Sequence, residues 1–90
     1  MAGTVIVRLF ASARAALGTA RLELAVAEGD TIDSLLRALL TEPTLAPDRG
    51  AGAERVLARC SFLRNGITAD RDTALVPGDT VDALPPFAGG

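Results

Sequence analysis

The sequence predicts an α+β fold, in which one mixed sheet of about five strands is crossed by one main helix. Two patterns carry this prediction. Apolar residues recur with helical spacing in residues 32–40, and they alternate with polar residues near both ends of the chain. Between two short strand-like stretches, the pair Asn65-Gly66 is typical of a tight hairpin, because both central positions of a type I′ turn need a positive φ.

The first quarter of the chain predicts strand, short helix and strand. Residues 4–10 alternate between a core face and a second, partly apolar face that carries Ile6, Arg8 and Phe10. Residues 11–17 are rich in alanine and predict a short helix, which Gly18 ends because glycine tolerates the left-handed conformation of a C-cap. Residues 20–26 alternate cleanly and predict a half-buried strand.

The main helix is predicted for the stretch that follows. Its apolar residues lie at positions i, i+3, i+4, i+7 and i+8, namely Ile32, Leu35, Leu36, Leu39 and Leu40. This spacing indicates an amphipathic helix that packs on the sheet. Thr31 is the expected N-cap, Asp33 adds negative charge to the first turn, and Pro43 is expected to end the helix.

The region before the hairpin is predicted to be irregular. Residues 42–53 contain two prolines and two glycines, which favours a surface loop, and residues 54–58 predict a helical turn. Residues 59–64 predict a strand with Cys60 and Phe62 on one side. A buried thiol is therefore expected at Cys60 rather than a reactive one.

The region after the hairpin is predicted to end in a strand. Ile67 begins the return strand of the hairpin, and residues 70–72 are expected to form a polar loop. Pro77-Gly78 fits the central positions of a type II turn. Residues 80–84 predict the last strand, which leads into the C-terminal residues.

The composition restricts the chemistry of the chain. A net charge of −2 without a basic cluster disfavours nucleic-acid binding. There is no histidine, and the single cysteine rules out an internal disulfide and a cysteine-based metal cluster. We therefore expect no metal site and no catalysis by the chain alone. No apolar stretch reaches membrane-spanning length and no signal peptide is predicted, so the expected location is the cytoplasm.

Residues 85–90 predict an extended tail beyond a domain of residues 1–84. Pro85 and Pro86 fix φ and lack an N–H, so they end the last strand and favour a stiff exit. Gly89 and Gly90 have no Cβ and fit a channel too narrow for side chains. Six extended residues span roughly 20 Å, enough to place a carboxylate in another protein's active site. The alternative is an ordinary frayed chain end.

If the first and last strands pair in parallel at the centre, the order of elements gives a β-grasp, the ubiquitin-like fold. With this fold the chain resembles the ubiquitin-like sulfur carriers and, more narrowly, the small subunit of molybdopterin synthase, the MoaD group. The ending is the most specific part, since the family typically closes with two prolines, two variable residues and two glycines. The resemblance rests on residues 7–11, Arg14, Gly18, the 31–40 helix, Asn65-Gly66, Asp72, Leu75, Gly78-Asp79, Val81 and residues 85–90.

The resemblance implies a mechanism that needs no cofactor bound to this chain. A ubiquitin-activating-type adenylating enzyme would use ATP to convert the Gly90 carboxylate to an acyl-adenylate, and a sulfur donor would displace AMP to leave a thiocarboxylate. The tail, with Gly89, would then enter the large subunit of molybdopterin synthase, in a heterotetramer, and pass sulfur to a pterin precursor of the molybdenum cofactor.

The resemblance also implies a docking surface on the outer face of the first strand and at the end of the last strand. The candidate partner-binding residues are Phe10, Arg14, Leu84, Pro85, Pro86, Phe87 and Ala88. Packing under the short helix is the alternative for Phe10, and a solvated helix position is the alternative for Arg14.

Three other functions stay open from the sequence. The first is a sulfur carrier of the same fold for cysteine, thiazole or a secondary metabolite. The second is a protein modifier whose Gly90 becomes bonded to target lysines. The third is a non-catalytic ubiquitin-like binding module, for which the tail would be dispensable. An independent enzyme is the least favoured reading of all.

Overall fold

The computed structural model describes residues 3–41 and 50–86. Its strands and helices follow the chain in this order: β1 Gly3–Leu9, α1 Ala11–Leu17, β2 Arg21–Val26, α2 Ile32–Leu40, α3 Gly50–Arg59, β3 Ser61–Arg64, β4 Ile67–Ala69 and β5 Thr80–Leu84. No helix among these residues is long and apolar enough to cross a bilayer.

The five strands form one mixed sheet in the order β2-β1-β5-β3-β4. The central pair, β1 and β5, is parallel, with Ile6 level with Thr80 and Leu9 level with Ala83. The other three pairs are antiparallel. This parallel centre confirms the predicted β-grasp and places the last strand, from which the tail departs, between β1 and β3.

The core lies between one face of the sheet and the helices. The inward residues of the two central strands are fully or almost fully buried: Val5, Val7, Leu9, Val81 and Ala83. The helical stripe is confirmed as well, since Ile32, Leu35, Leu36 and Leu39 are buried and Leu40 is half-buried. The opposite face of the sheet is left to the side chains that alternate with these, among them Arg8 and Asp82.

Local contacts explain where the first two helices begin and end. Thr31 caps α2 as predicted, because its Oγ1 accepts the Ser34 N–H at 3.3 Å, and Ser34 Oγ accepts the Thr31 N–H at 2.9 Å in return. Gly18 ends α1 with φ of 75°, as predicted. The α2 helix ends at Leu40, whereas Pro43 lies outside the described residues.

Both predicted turns are present. Asn65 and Gly66 have φ of 51° and 83°, the two positive values of a type I′ hairpin. Gly78 has φ of 94°, and the Asp79 N–H donates to the Val76 carbonyl at 3.1 Å, as a type II turn with Pro77 at its first central position requires.

The predictions for residues 42–64 were partly wrong. Helix α3 begins at Gly50, so the loop predicted through residue 53 is wrong from residue 50 onward, and the turn predicted for 54–58 is part of a ten-residue helix. Burial of Ala53 and Leu57 outweighs the weak helix propensity of the glycines. Within the described residues the structure therefore has three helices, where a short helix, a main helix and a helical turn were predicted. Residues 42–49 lie outside the described part.

Cys60 lies between α3 and β3 rather than in a strand, because Arg59 ends the helix and β3 begins at Ser61. Its thiol is half-buried and donates to the Val56 carbonyl at 3.3 Å. Burial raises the pKa of the Cys60 thiol, and the opposing charge of Arg71 does not cancel this effect. The thiolate that a reactive cysteine needs is therefore disfavoured, which agrees with the structural role expected for Cys60.

Candidate functional site: the outer sheet face and the exit of the last strand

The exit of β5 is the first part of the candidate site. Leu84, the last residue of the strand, is half-buried and level with Ser61 of β3. The strand ends there because Pro85 and Pro86 have no N–H to donate to the ladder. Pro85 is half-buried and Pro86 is exposed, so the chain leaves the sheet at this point. The predictions for Phe87, Ala88, Gly89 and Gly90 lie outside the described residues.

Phe10 lies at the same end of the sheet as Leu84. Leu9, the last residue of β1, is level with Ala83 of β5. Continued by one residue, this parallel register puts Phe10 beside Leu84. The Phe10 backbone is extended, and its carbonyl accepts the N–H groups of Ala13 at 3.0 Å and Arg14 at 3.3 Å, which begins helix α1. Its side chain is 40% exposed, which disfavours the alternative that Phe10 packs under this helix.

Arg14 lies one helical turn after Phe10, on α1. Its side chain is exposed, and its carbonyl accepts the Gly18 N–H at 2.9 Å at the end of the helix. Within residues 3–41 and 50–86, no carboxylate lies within 4.0 Å of the Arg14 guanidinium. The structure thus brings Phe10 and the β5 exit to one end of the sheet, and Arg14 follows one helical turn after Phe10 on α1.

The outer face next to this exit holds an ion pair that sequence reasoning missed. Arg8 Nε donates to Asp82 Oδ1 at 2.6 Å, and Arg8 Nη2 donates to Asp82 Oδ2 at 2.7 Å. The Asp82 side chain is only 7% exposed, whereas that of Arg8 is 51% exposed. The arginine therefore covers the carboxylate and presents the rest of its guanidinium to solvent. Only the parallel register of β1 and β5, which the sequence does not specify, places these two residues side by side.

Arg8 also connects the ion pair to Phe10. Its guanidinium carbon lies 5.8 Å from the centroid of the Phe10 ring, a distance at which a cation and an aromatic ring attract each other. The hydrogen bond to Asp82 and the charge of that carboxylate raise the pKa of Arg8 above its ordinary value. The outer face thus offers a permanent cation beside an exposed aromatic ring. We call Phe10, Arg14, Leu84 and Arg8 the exit patch.

The chemistry available at the exit patch is recognition. Among the described residues, no group of three His, Cys, Asp or Glu side chains lies close enough to hold a metal ion. An exposed aromatic ring and arginines are instead the residue types that protein interfaces use most.

Comparison with known proteins extends this picture. No curated protein matches the sequence. Among solved structures, small archaeal modifier protein 1 of Haloferax volcanii is similar over 98% of this chain and 100% of its own, with 26% identity and a TM-score of 0.78. Subunit 1 in the complex of subunits 1 and 2 of the molybdopterin-converting factor of Helicobacter pylori matches at 27% identity and a TM-score of 0.57, over 97% of this chain and 99% of the other.

A molybdopterin converting factor subunit 1 of Pyrococcus furiosus supports the fold alone, because its identity is 22%; the match covers 94% of this chain and 99% of the other with a TM-score of 0.73. The sequence profile of the ThiS family matches residues 7–90, which include the last three residues of β1, the other described strands and helices, and the Gly-Gly ending. The chain therefore belongs to the ThiS/MoaD family of ubiquitin-like sulfur carriers.

Proposed function

We propose that this chain is the sulfur-carrying small subunit of a molybdopterin synthase, and that the carboxylate of Gly90 is its working group. The main support is the match of the ThiS profile through residue 90, together with a central strand that ends at two prolines. The tail carries the reactive carbon, and the exit patch positions it.

The proposed chemistry has three steps. An adenylating enzyme of the ubiquitin-activating type joins the Gly90 carboxylate to the α-phosphate of ATP and releases pyrophosphate. A sulfur donor then delivers sulfur at the oxidation level of hydrosulfide, so that a C–S bond forms as the bond to AMP breaks. Transfer of that sulfur to the acceptor, with oxygen from water, restores the carboxylate. Because the donor and the activating enzyme supply the nucleophile and the energy, this chain needs no base or metal of its own.

The proposed partner is a large subunit in a heterotetramer, within the cytoplasm. The similarity to subunit 1 of the Helicobacter pylori complex supports a partner subunit of this kind. The exit patch fits such a role, since an exposed aromatic ring and arginines are the residue types enriched where interfaces are strongest. Sulfur carriers that serve cysteine, thiazole or a secondary metabolite would share the tail chemistry and differ only in the acceptor.

A second candidate function is protein modification. Small archaeal modifier protein 1 of Haloferax volcanii, which is 26% identical, supports it. The first step would be the same adenylation of Gly90, but the carbonyl carbon would then be captured by the amine of a target lysine. The two functions therefore predict different products on the same atom, and one measurement separates them.

The test is the mass of the C-terminal peptide in protein isolated from its own host. Cleavage after Arg71 releases residues 72–90, which contain neither Cys60 nor Met1. Replacement of oxygen by sulfur adds nominally the same mass as oxidation of a thiol or thioether, and neither group is present in this peptide. A heavier peptide that reacts with an alkylating agent at its C-terminus supports a thiocarboxylate.

Other products would redirect or overturn the proposal. A peptide joined to a lysine of another protein supports modification. A free carboxylate that persists after incubation with ATP and host lysate supports the binding module. If the thiocarboxylate is present, incubation with the co-expressed large subunit and pterin precursor should consume it, and its persistence there would point to another acceptor.

The variant Gly89→Val tests whether the tail must pass through a narrow channel. A valine side chain would block a channel that glycine passes, while the tail position leaves folding untouched. We expect loss of sulfur transfer with an unchanged far-UV spectrum and melting temperature. Gly89→Ala, with a much smaller side chain, is the matched variant and should keep more activity. Normal transfer by folded Gly89→Val would contradict threading.

A further inference from the structure

The free edge of β2 carries a few backbone N–H and carbonyl groups that have no hydrogen-bond partner among the described residues. The sheet ends at β2, whose only strand partner is β1. In an antiparallel ladder, residues that bond to the neighbouring strand alternate with residues that face away from it. The Leu9 N–H donates to the Ala20 carbonyl at 2.9 Å, which sets this alternation. Leu22, Leu24 and Val26 therefore bond to β1, whereas Arg21, Glu23 and Ala25 direct their N–H and carbonyl groups to the free edge.

Local contacts cap this edge at both ends. Thr19 Oγ1 donates to the Arg21 carbonyl at 3.1 Å and accepts the Arg21 N–H at 3.4 Å. At the other end, Asp30 Oδ2 accepts the Ala27 N–H at 2.7 Å, and the Asp30 N–H donates to the Ala27 carbonyl at 3.1 Å. Within the described part of the chain, the uncapped groups of this edge are those of Glu23 and Ala25, two donors and two acceptors.

We propose that this edge is a self-association site, and that its occupant is a second copy of the same chain paired antiparallel through β2. In a two-fold arrangement, Glu23 of each copy lies opposite Ala25 of the other, and Leu24 lies on the axis. Each of these opposite pairs exchanges two hydrogen bonds, so the four free groups of one copy match the four of the other.

A second copy can supply this complement in one register, because the two neighbouring registers fit poorly. A shift toward Arg21 would place Glu23 opposite Glu23 of the second copy, with like charges facing and a capped Arg21 in the ladder. A shift toward Ala27 would place the capped Ala27 opposite Glu23. Only the register centred on Leu24 uses every free group and no capped one.

The outer face of β2 is compatible with this register. Glu23 is drawn toward β1, because Thr4 Oγ1 donates to its Oε2 at 3.0 Å, and the small side chain of Ala25 leaves room opposite it. The arrangement closes at two copies, since each β2 edge is then used. With four hydrogen bonds and a short contact, the dimer is expected to be weak and to form at high protein concentration.

The association leaves the exit patch available. The β2 edge uses backbone groups of Glu23 and Ala25, whereas the exit patch uses side chains of β1, α1 and β5. A dimer of this kind would therefore present two tails at once. It does not depend on which acceptor receives the sulfur, so the proposed function can fail while this inference stands.

Amide hydrogen exchange on the full chain, measured per residue by NMR over a dilution series, tests the proposal. The Leu22 and Leu24 amides bond to β1 and should exchange slowly at every concentration. The Glu23 and Ala25 amides should exchange quickly in dilute protein and about tenfold more slowly in concentrated protein. A reducing agent is present throughout, because Cys60 could otherwise link two chains. Fast exchange of both amides at all concentrations, with monomer mass by sedimentation, would overturn the proposal.

Two charge variants at Ala25 give the sharpest control. Ala25→Arg places a cation opposite Glu23 of the second copy and should tighten association about fivefold, whereas Ala25→Glu places like charges there and should weaken it by a similar factor. Both changes are at an exposed position, so the fold should tolerate them equally. Ala25→Pro removes only the donor at the free edge and should abolish the dimer.

Three further results would overturn the proposed dimer or its register. Equal effects of Ala25→Arg and Ala25→Glu on association would overturn the register. A dimer that persists in folded Ala25→Pro would show that another surface is responsible. Protection of Glu23 and Ala25 that appears only on addition of host lysate, without any concentration dependence of the pure protein, would assign the edge to an extended segment of another protein and overturn the second copy as occupant.

Discussion

Two arginine–aspartate pairs hold the last strand, and they differ in how the carboxylate is satisfied. Asp79, just before β5, accepts from Arg64 Nε at 2.7 Å, from Asn65 Nδ2 at 2.9 Å and from the Val76 N–H at 2.9 Å. Asp82, in the middle of β5, accepts two hydrogen bonds from Arg8 alone within the described residues. Both aspartates are buried, with 5% of the Asp79 side chain and 7% of the Asp82 side chain exposed.

The difference shows that the Asp79 contacts support the fold, whereas the Arg8–Asp82 pair shapes the exposed face of the sheet. The Asp79 contacts join the hairpin turn, the 76–79 turn and the start of β5, so they fix where the strand begins. The Arg8–Asp82 pair lies on the open face, and half of the arginine side chain is exposed beside Phe10. A carboxylate that accepts hydrogen bonds from several sides stabilises the fold, whereas one covered by a single exposed arginine holds that arginine at the proposed docking surface.

The largest expected effect is that of Asp79→Ala. Removal of the carboxylate leaves the Arg64 guanidinium, the Asn65 Nδ2 group and the Val76 N–H without this acceptor, so we expect a loss of about 2–4 kcal/mol in the free energy of unfolding. Urea denaturation followed by far-UV circular dichroism measures it. Asp79→Asn keeps the shape and one acceptor oxygen and should lose less. A loss below about 1 kcal/mol for Asp79→Ala would contradict the anchoring role.

The second prediction concerns how the stability of the fold changes at low pH. Burial favours a higher pKa for Asp79, but the hydrogen bonds from Arg64, Val76 and Asn65 and the charge of Arg64 hold that pKa below its ordinary value of 3.8. As the pH falls through this range, the unfolded chain takes up the proton before the folded chain does. The stabilisation is therefore complete above about pH 4 and is lost as the pH falls through the lower folded-state pKa.

Urea midpoints measured between pH 7 and pH 2 check this prediction. The difference in stability between the natural chain and Asp79→Asn should be largest near neutral pH and should shrink in acid, because the asparagine does not titrate. A difference that stays constant down to pH 2 would mean that the Asp79 charge makes no contribution.

The same two pairs mark the limit of what the sequence can predict. The Asn65-Gly66 hairpin, the Gly78 turn and the helix at residues 32–40 were predictable, because each depends on residues close together in the chain. The Asp79 network and the Arg8–Asp82 pair were not, since they join residues up to 74 positions apart whose contact depends on strand register. Helix α3 was predicted only in part, as a turn at residues 54–58, because burial of Ala53 and Leu57 decides its full length against local propensity.

The candidate site likewise contains residues that the sequence predicted and a contact that it did not. Phe10, Leu84 and the two prolines were predicted from their positions and from the family resemblance, and the structure brings Phe10 and Leu84 to one end of the sheet. Arg8 was placed on the outer face, but its role there was missed because its partner lies on the last strand. The sequence pattern identifies which residues face outward, and only the register identifies which of them act together.

A third prediction compares the pairs directly. Arg8→Ala should destabilise the fold by less than about half as much as Asp79→Ala, since the uncovered Asp82 carboxylate gains access to water and no backbone group loses a partner. The same denaturation experiment measures both variants. Arg8→Lys keeps the charge but loses the bidentate hydrogen bonding to Asp82. Its stability should therefore lie between that of Arg8→Ala and that of the natural chain. Equal losses of unfolding free energy for Arg8→Ala and Asp79→Ala would mean that the two pairs support the fold to the same extent.

The smallest expected effect on stability is that of Phe10→Ala, and it separates folding from docking. Because the ring is 40% exposed and its backbone already caps α1, its loss should change the free energy of unfolding by about 1 kcal/mol or less, whereas truncation of its buried neighbour in Leu9→Ala should cost about 3 kcal/mol. Binding to the proposed large subunit, measured by calorimetry, should fall by roughly tenfold in Phe10→Ala. Unchanged affinity in both Phe10→Ala and Leu84→Ala would remove the exit patch as the docking surface, while leaving the chemistry of the tail intact.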